Sequence, residues 1–275
     1  MIDQEGASLP LVRATLAGRE TYLILDTGAV QSILPYGFVT ATGLRPRKHG
    51  EFYFDANGYR MLLQVVPDIP VRFEGETESG PMDFQFGPPL PAGFGIFAPQ
   101  SLIAPGFALT IDFVKEEVRY DPQDVALRRL SEAGEVVQEV ALRNCGNEDV
   151  GNKTHRVVEI IVNGVPTWAL LDTGSTRTSL FGDNPAMDSM KGLKGKKQEV
   201  RGFTGVRGQS VVVDDIPVTF AGVTLKLRTV LLPLASGAAH STVTSCGKGV
   251  LGADFLRHCQ IVWGHSSLWA SCHPG

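Results

Sequence analysis

The chain has 275 residues, of which 43% are hydrophobic and 20% charged, and its formal net charge is −4. No apolar run approaches the roughly 18 residues of a membrane-spanning helix, so no membrane span is expected. Residues 1–143 carry 12 Lys+Arg against 19 Asp+Glu, and residues 144–275 carry 13 against 10; much of the basic excess lies in "KGLKGKKQEV", residues 191–200. That stretch has no aromatics among its lysines and reads as a solvated loop, so no nucleic-acid partner is expected.

The N-terminal "MIDQEGASLP" has neither the basic start nor the apolar run of a signal peptide. Localisation stays open, with an extracytoplasmic site expected if a targeting segment has been removed. Next, "PLVRATL" and "TYLIL" flank Ala17-Gly18 as two short strands of a hairpin. "LDTG" follows, placing Asp26 at the end of an apolar strand, where an unpaired carboxylate is costly. "DIPVRFEG" (68–75) is another β-rich run, and "GIFAPQSL" (95–102) follows it. Residues 124–133 suit a short helix, with Asp124 as cap and Gly134 beyond its end, and 136–142 suit a strand. "NCGNEDVGNK" (144–153) reads as a connecting loop. "RVVEIIV" and "VPTWALL" flank Asn163-Gly164, the strongest short hairpin signal in the chain. "DIPVTFAG" (215–222) is a further strand, and "ADFLRHC" (253–259) is the firmest helix in either half.

Cys145, Cys246, Cys259 and Cys272 form no CxxC pair and have no His at zinc-finger spacing. One or two disulfides, or buried thiols, fit equally. His240, His258 and His265 are scattered, and no metal or other cofactor is expected.

The chain is internally duplicated. "VRATLAGRETYLILDTGA" (12–29) aligns without a gap on "VEIIVNGVPTWALLDTGS" (158–175) at an offset of 146. "DIPVRFEG" aligns on "DIPVTFAG" at an offset of 147, and "GIFAPQSL" on "GVLGADFL" (249–256). Two lobes are expected, at 1–121 and 151–275, joined by a linker at 122–150. Each is mostly β with one short helix, giving an all-β fold whose lobes are related by a pseudo-two-fold axis.

Such an axis brings Asp26 and Asp172 together. Two carboxyls that close share one proton, so one serves as general base on a water while the other donates to a carbonyl oxygen. Gly28 and Gly174 allow a tight turn with an amide reaching the carboxylate. Thr27 and Thr173 are placed to bond across the axis to the other lobe's backbone. Ser32 and Thr178 are candidates to bond the outer carboxylate oxygens.

"ILDTGAVQSIL" and "LLDTGSTRTSL", with "GVLGADFL" behind the second, resemble the active-site segments of retropepsin-like aspartic peptidases in a single-chain, two-lobe form. Pepsin-like members carry a Trp shortly after the first Asp-Thr-Gly, which "DTGAVQSILP" lacks. The resemblance implies an acid-protease fold and an endopeptidase that needs no cofactor. It implies a monomer with one intramolecular site, cutting an extended peptide or protein substrate. It also implies a flap hairpin over the cleft from each lobe: "EFYFDANGYR" (51–60), offering Tyr53, Phe54, Asp55, Asn57 and Gly58, and "VRGFTGVRGQ" (200–209), offering Gly202, Phe203 and Thr204. Lobe one departs from the pattern at Ala98-Pro99, where lobe two has Gly252-Ala253, so an altered strand–helix junction is expected there. A catalytically silent fold kept for binding or scaffolding is the alternative.

Overall fold

The computed structural model describes residues 2–4, 7–54, 60–76, 80–86, 94–132, 136–145, 155–201, 207–232 and 246–274. Strands dominate and the helices are short, so the protein is all-β in class. A small pair, β1 (Ile2–Gln4) and β2 (Ala7–Leu9), opens the chain. β3 (Leu11–Leu16) and β4 (Arg19–Leu25) form the expected hairpin, turned by Ala17 and Gly18 at φ 47° and 79°. Left-handed backbone at both central positions matches the twist of the flanking strands, and glycine adopts it without strain.

β5 (Ile33–Leu34) leads into helix α1 (Tyr36–Thr42), then β6 (Arg47–Phe54), β7 (Arg60–Phe73), β8 (Pro81–Phe86) and β9 (Gly95–Phe97). These strands lie in the order β3-β4-β9-β5-β8-β7-β6, and β3 also pairs with β7, closing all but β6 into a ring. Helix α1 is unanticipated. Pro35 precedes it without a side-chain cap, and Gly43 ends it at φ 66°.

β10 (Phe107–Asp112), β11 (Glu117–Pro122), helix α2 (Gln123–Glu132), β12 (Gln138–Val140) and β13 (Leu142–Cys145) follow. The second half comprises β14 (His155–Val162), β15 (Val165–Leu171), β16 (Ser179–Phe181), β17 (Lys196–Arg201), β18 (Arg207–Phe220), β19 (Val223–Leu232) and β20 (Gly249–Leu251). Helix α3 (Ala253–Leu256), β21 (Cys259–Gly264) and β22 (Leu268–Cys272) complete it. Its sheet runs β14-β15-β20-β16-β19-β18-β17 with an added β14–β18 pairing, the same order as the first, while β13 extends its edge. Each sheet has a register shift at the same place, with Asp68 at φ 56° and Asp215 at φ 60°.

A third sheet, β11-β10-β21-β22-β12, joins the halves through β10 against β21. Ala126 and Leu130 of α2 pack on its Ala108 and Val262. Residues 123–132 and 136–145 are therefore built into the fold. Asn144 and Cys145, expected in a loop, end β13 because their backbone pairs with Arg156 and His155 of β14. The basic segment is likewise a loop only in part, since its residues from Lys196 onward pair with β18. All four cysteines are in disulfides, Cys145–Cys246 and Cys259–Cys272, the latter bridging directly opposed residues of β21 and β22.

Candidate active site

Each Asp-Thr-Gly leaves the end of an interior strand. Asp26 follows β4 and Asp172 follows β15, and the Asp26 and Asp172 N–H groups donate to the Phe97 and Leu251 carbonyls at 2.9 and 3.0 Å. β9 runs parallel to β4 and antiparallel to β5, as β20 does to β15 and β16. Each Asp turn is thus clasped between strands that are fixed on both sides, and backbone pairing holds it rather than loop packing.

The two turns are tied to one another. Thr27 Oγ1 donates to the Leu171 carbonyl at 2.7 Å and accepts from the Thr173 N–H at 3.1 Å. Thr173 Oγ1 donates to the Leu25 carbonyl and accepts from the Thr27 N–H at 3.1 Å. Both threonines are wholly buried, where unmet polar groups are expensive. A methyl group added at Gly28 would overlap the Asp172 carboxyl, and one at Gly174 the Asp26 carboxyl. Each glycine therefore sits flat against the opposite Asp.

The carboxyls are hydrogen-bonded to one another. Asp26 Oδ1 accepts from the Gly28 and Ala29 N–H groups at 2.8 and 2.9 Å, and Asp172 Oδ1 from those of Gly174 and Ser175 at 2.8 and 3.0 Å. Both residues keep part of their surface in contact with solvent, so an incoming molecule can reach them. Burial pushes the Asp172 carboxyl well above the ordinary carboxylate range, and the Asp26 charge and the bond between the carboxyls push the same way. Burial raises Asp26 as well, but the bond from Asp172 and the Ala29 and Gly28 amides favour its charged form. The two carboxyls titrate as a pair, and the shifts belong to both rather than to either residue alone.

Comparison with models of protein families and with curated proteins finds no match to this chain. Function rests on the site itself.

Ser32 and Thr178 do not bond the outer carboxylate oxygens. Ser32 Oγ accepts from the Ala98 N–H at 3.0 Å, and Thr178 Oγ1 accepts from the Gly252 N–H at 3.2 Å. The closed sheet brings those amides to the hydroxyls, so both residues hold the end of β9 or β20 behind the site. Thr178 N–H and Oγ1 also donate to Asp254 Oδ1, at 2.8 and 2.7 Å. The expected difference at Ala98-Pro99 is real: the first half has a 3-10 turn, Pro99–Leu102, where the second half has α3. A methyl group at Gly252 would meet the backbone of Arg177 and Thr178, whereas Ala98 carries one at the equivalent place.

Three side chains at the site were not singled out from sequence: Asp254, Gln100 and His155. Gln100 Nε2 donates to the Thr27 carbonyl and, at 3.4 Å, to the Ala29 carbonyl. His155 Nδ1 lies 3.1 Å from the Gly28 carbonyl oxygen. A carbonyl only accepts, so Nδ1 carries the proton. Gln100 and Asp254 occupy equivalent places in "GIFAPQSL" and "GVLGADFL", which was the available signal for them. Among the described residues no cluster of metal-ligating side chains occurs.

Both flap candidates are the stems of hairpins: β6 pairs with β7 up to Phe54↔Arg60, and β17 with β18 up to Arg201↔Arg207. Tyr53 and Phe54 lie on β6. Asp55, Asn57 and Gly58 of the first tip, and Gly202, Phe203 and Thr204 of the second, lie outside the described residues.

Proposed function

We propose that the protein is an aspartic endopeptidase with a retropepsin-like fold, built as two homologous lobes about a pseudo-two-fold axis. The observation that carries this reading is the reciprocal contact of the two Asp-Thr-Gly turns, with Gly28 against Asp172, Gly174 against Asp26, and the threonines bonded crosswise. Paired, singly protonated carboxyls reachable from solvent are the apparatus for splitting an amide with water. The charged carboxyl takes a proton from water as its oxygen bonds to the scissile carbonyl carbon. The protonated carboxyl donates to the carbonyl oxygen, stabilising the tetrahedral intermediate. The C–N bond then breaks as one carboxyl gives its proton to the amide nitrogen and a hydroxyl of the intermediate returns a proton to the other carboxylate, re-forming the C=O and the singly protonated dyad. The β6–β7 and β17–β18 hairpins cover an extended peptide or protein substrate.

One chain holds both halves of the site, so the active species is a monomer. The two disulfides suit an oxidising, extracytoplasmic compartment. A statine-type mimic of the tetrahedral intermediate tests the reading. It is expected to raise the thermal midpoint of the wild type and not that of Asp26→Asn, with EDTA having no effect. A mimic that stabilises neither protein, in a chain that cleaves no peptide, would favour a silent binding module.

A further inference from the structure

The two Asp turns look alike in sequence, but their outer faces are supported differently. The peptide group between Thr27 and Gly28 receives Gln100 Nε2 on its carbonyl and gives its N–H to Asp26 Oδ1. The next peptide group, between Gly28 and Ala29, receives His155 Nδ1–H on its carbonyl and gives its N–H to the same Oδ1. Two side-chain donors thus act through two peptide groups on one carboxylate oxygen. A donor on an amide oxygen polarises that amide and strengthens the bond its N–H gives, by roughly 10–30% per link.

The second turn has the same amide bonds to Asp172 Oδ1 but, among the described residues, no such support. The offset of 146 puts Leu9 where His155 stands in the other half, and Leu9 is buried and has no side-chain donor. Asp254 stands where Gln100 does; its carboxyl is engaged by Thr178 and Phe255 N–H and offers the turn no amide donor. Among the described residues, the Thr173 and Gly174 carbonyls receive no side-chain donor.

We infer that His155 and Gln100 are positioning residues that break the symmetry of the dyad, making Asp26 the carboxyl that ionises first and Asp172 the one that keeps the proton. With the proposed hydrolysis, on which this inference rests for its catalytic meaning, Asp26 is the base toward water and Asp172 the donor to the carbonyl oxygen. Burial keeps the His155 imidazole neutral down to about 4, so above that pH it acts through its hydrogen bond and not through a charge. Of the other titratable groups nearby, Arg177 acts on Asp254 behind the second turn, and three more are engaged elsewhere. Arg156 donates to the Gly264 and His265 carbonyls, His265 Nδ1 meets the Ile103 carbonyl, and Arg143 lies over Trp168. Cys145, opposite His155 on β13, is in a disulfide.

Site-resolved titration of Asp carboxyl carbons by NMR tests this on the full chain, with Asp26→Asn and Asp172→Asn used to assign the signals. In the wild type Asp26 is expected to ionise first. Combining His155→Leu, which copies Leu9, with Gln100→Met is expected to move the Asp26 ionisation up by about half a pH unit. His155→Asn, whose amide nitrogen falls near the place of Nδ1, is expected to keep the wild-type order and midpoint. Gln100→Met carries the test alone, with a smaller upward shift, if the His155→Leu protein does not fold. Asp172 ionising first, an unmoved Asp26 midpoint, or equal shifts in His155→Leu and His155→Asn would overturn the assignment. Peptide cleavage is read separately, so a chain that titrates in this order but cuts nothing refutes the hydrolase and not the asymmetry.

Discussion

Replacing Thr27 with Val removes one hydroxyl while keeping the side chain's shape, and it strikes the contact that holds the two halves in register. Thr27 Oγ1 bonds the Leu171 carbonyl at 2.7 Å and the Thr173 N–H at 3.1 Å, at a position with no solvent exposure. Neither partner gains another ligand from a valine, so two buried groups are left unmet at about 1–3 kcal/mol each. The expected loss is about 2–6 kcal/mol. At ~2–4 °C per kcal/mol for a chain of this size, the thermal midpoint falls by about 4–24 °C. Thr27→Ser keeps the hydroxyl and loses only a methyl group, so its midpoint should lie much nearer the wild type. Scanning calorimetry on the three proteins measures the difference. A Thr27→Val midpoint within about a degree of wild type would show that the crossed bonds contribute little, and the reasoning would fail.

Two more predictions concern stability. The folded dyad holds a proton at pH values where an unfolded Asp has released it, because burial raises both carboxyls above the ordinary carboxylate range. The unfolded state then binds fewer protons, and stability falls as pH rises through that window. Asp172→Asn, which keeps the oxygen for the Gly174 and Ser175 amides, should therefore be more thermostable than wild type at pH 7. The gap should shrink as pH falls from the raised range toward the ordinary carboxylate range and be smallest below it; a pH-independent gap would contradict the sign. The disulfides close loops of very different length, with sequence separations of 101 for Cys145–Cys246 and 13 for Cys259–Cys272. Removing the first pair by Cys→Ser changes should cost up to about 4–5 kcal/mol and removing the second about 3, on the chain-entropy account. Calorimetry with and without reductant checks this, and a midpoint unmoved by reductant would refute it.

The elements that sequence reasoning reached are those the two halves repeat. Aligned Asp-Thr-Gly turns led directly to the Asp26–Asp172 pairing and the crossed threonines, because a duplicated chain places equivalent residues against each other. Local chemistry sufficed for the Ala17-Gly18 and Asn163-Gly164 turns. It also sufficed for α2, found at Gln123–Glu132 against an expected 124–133. Helix α1 was missed because seven residues with no charged first or last turn leave little periodic signal, and only Pro35 and Gly43 mark its ends. The true partners of Ser32 and Thr178 depend on sheet closure, which brings Ala98 and Gly252 in from about 70 residues away. His155 and Gln100 were hidden for the opposite reason. They differ from their counterparts Leu9 and Asp254, and alignment of a repeat draws attention to what the halves share.

The most direct measurement is cleavage of a diverse peptide library, across pH, by the wild type, Asp26→Asn and Asp172→Asn. In the proposed mechanism one shared proton runs both halves of the reaction, so the wild type should cut internal peptide bonds and each single substitution should abolish cutting. A folded wild type that cuts nothing, or either variant cutting at a substantial fraction of the wild-type rate, would contradict the shared-dyad peptidase.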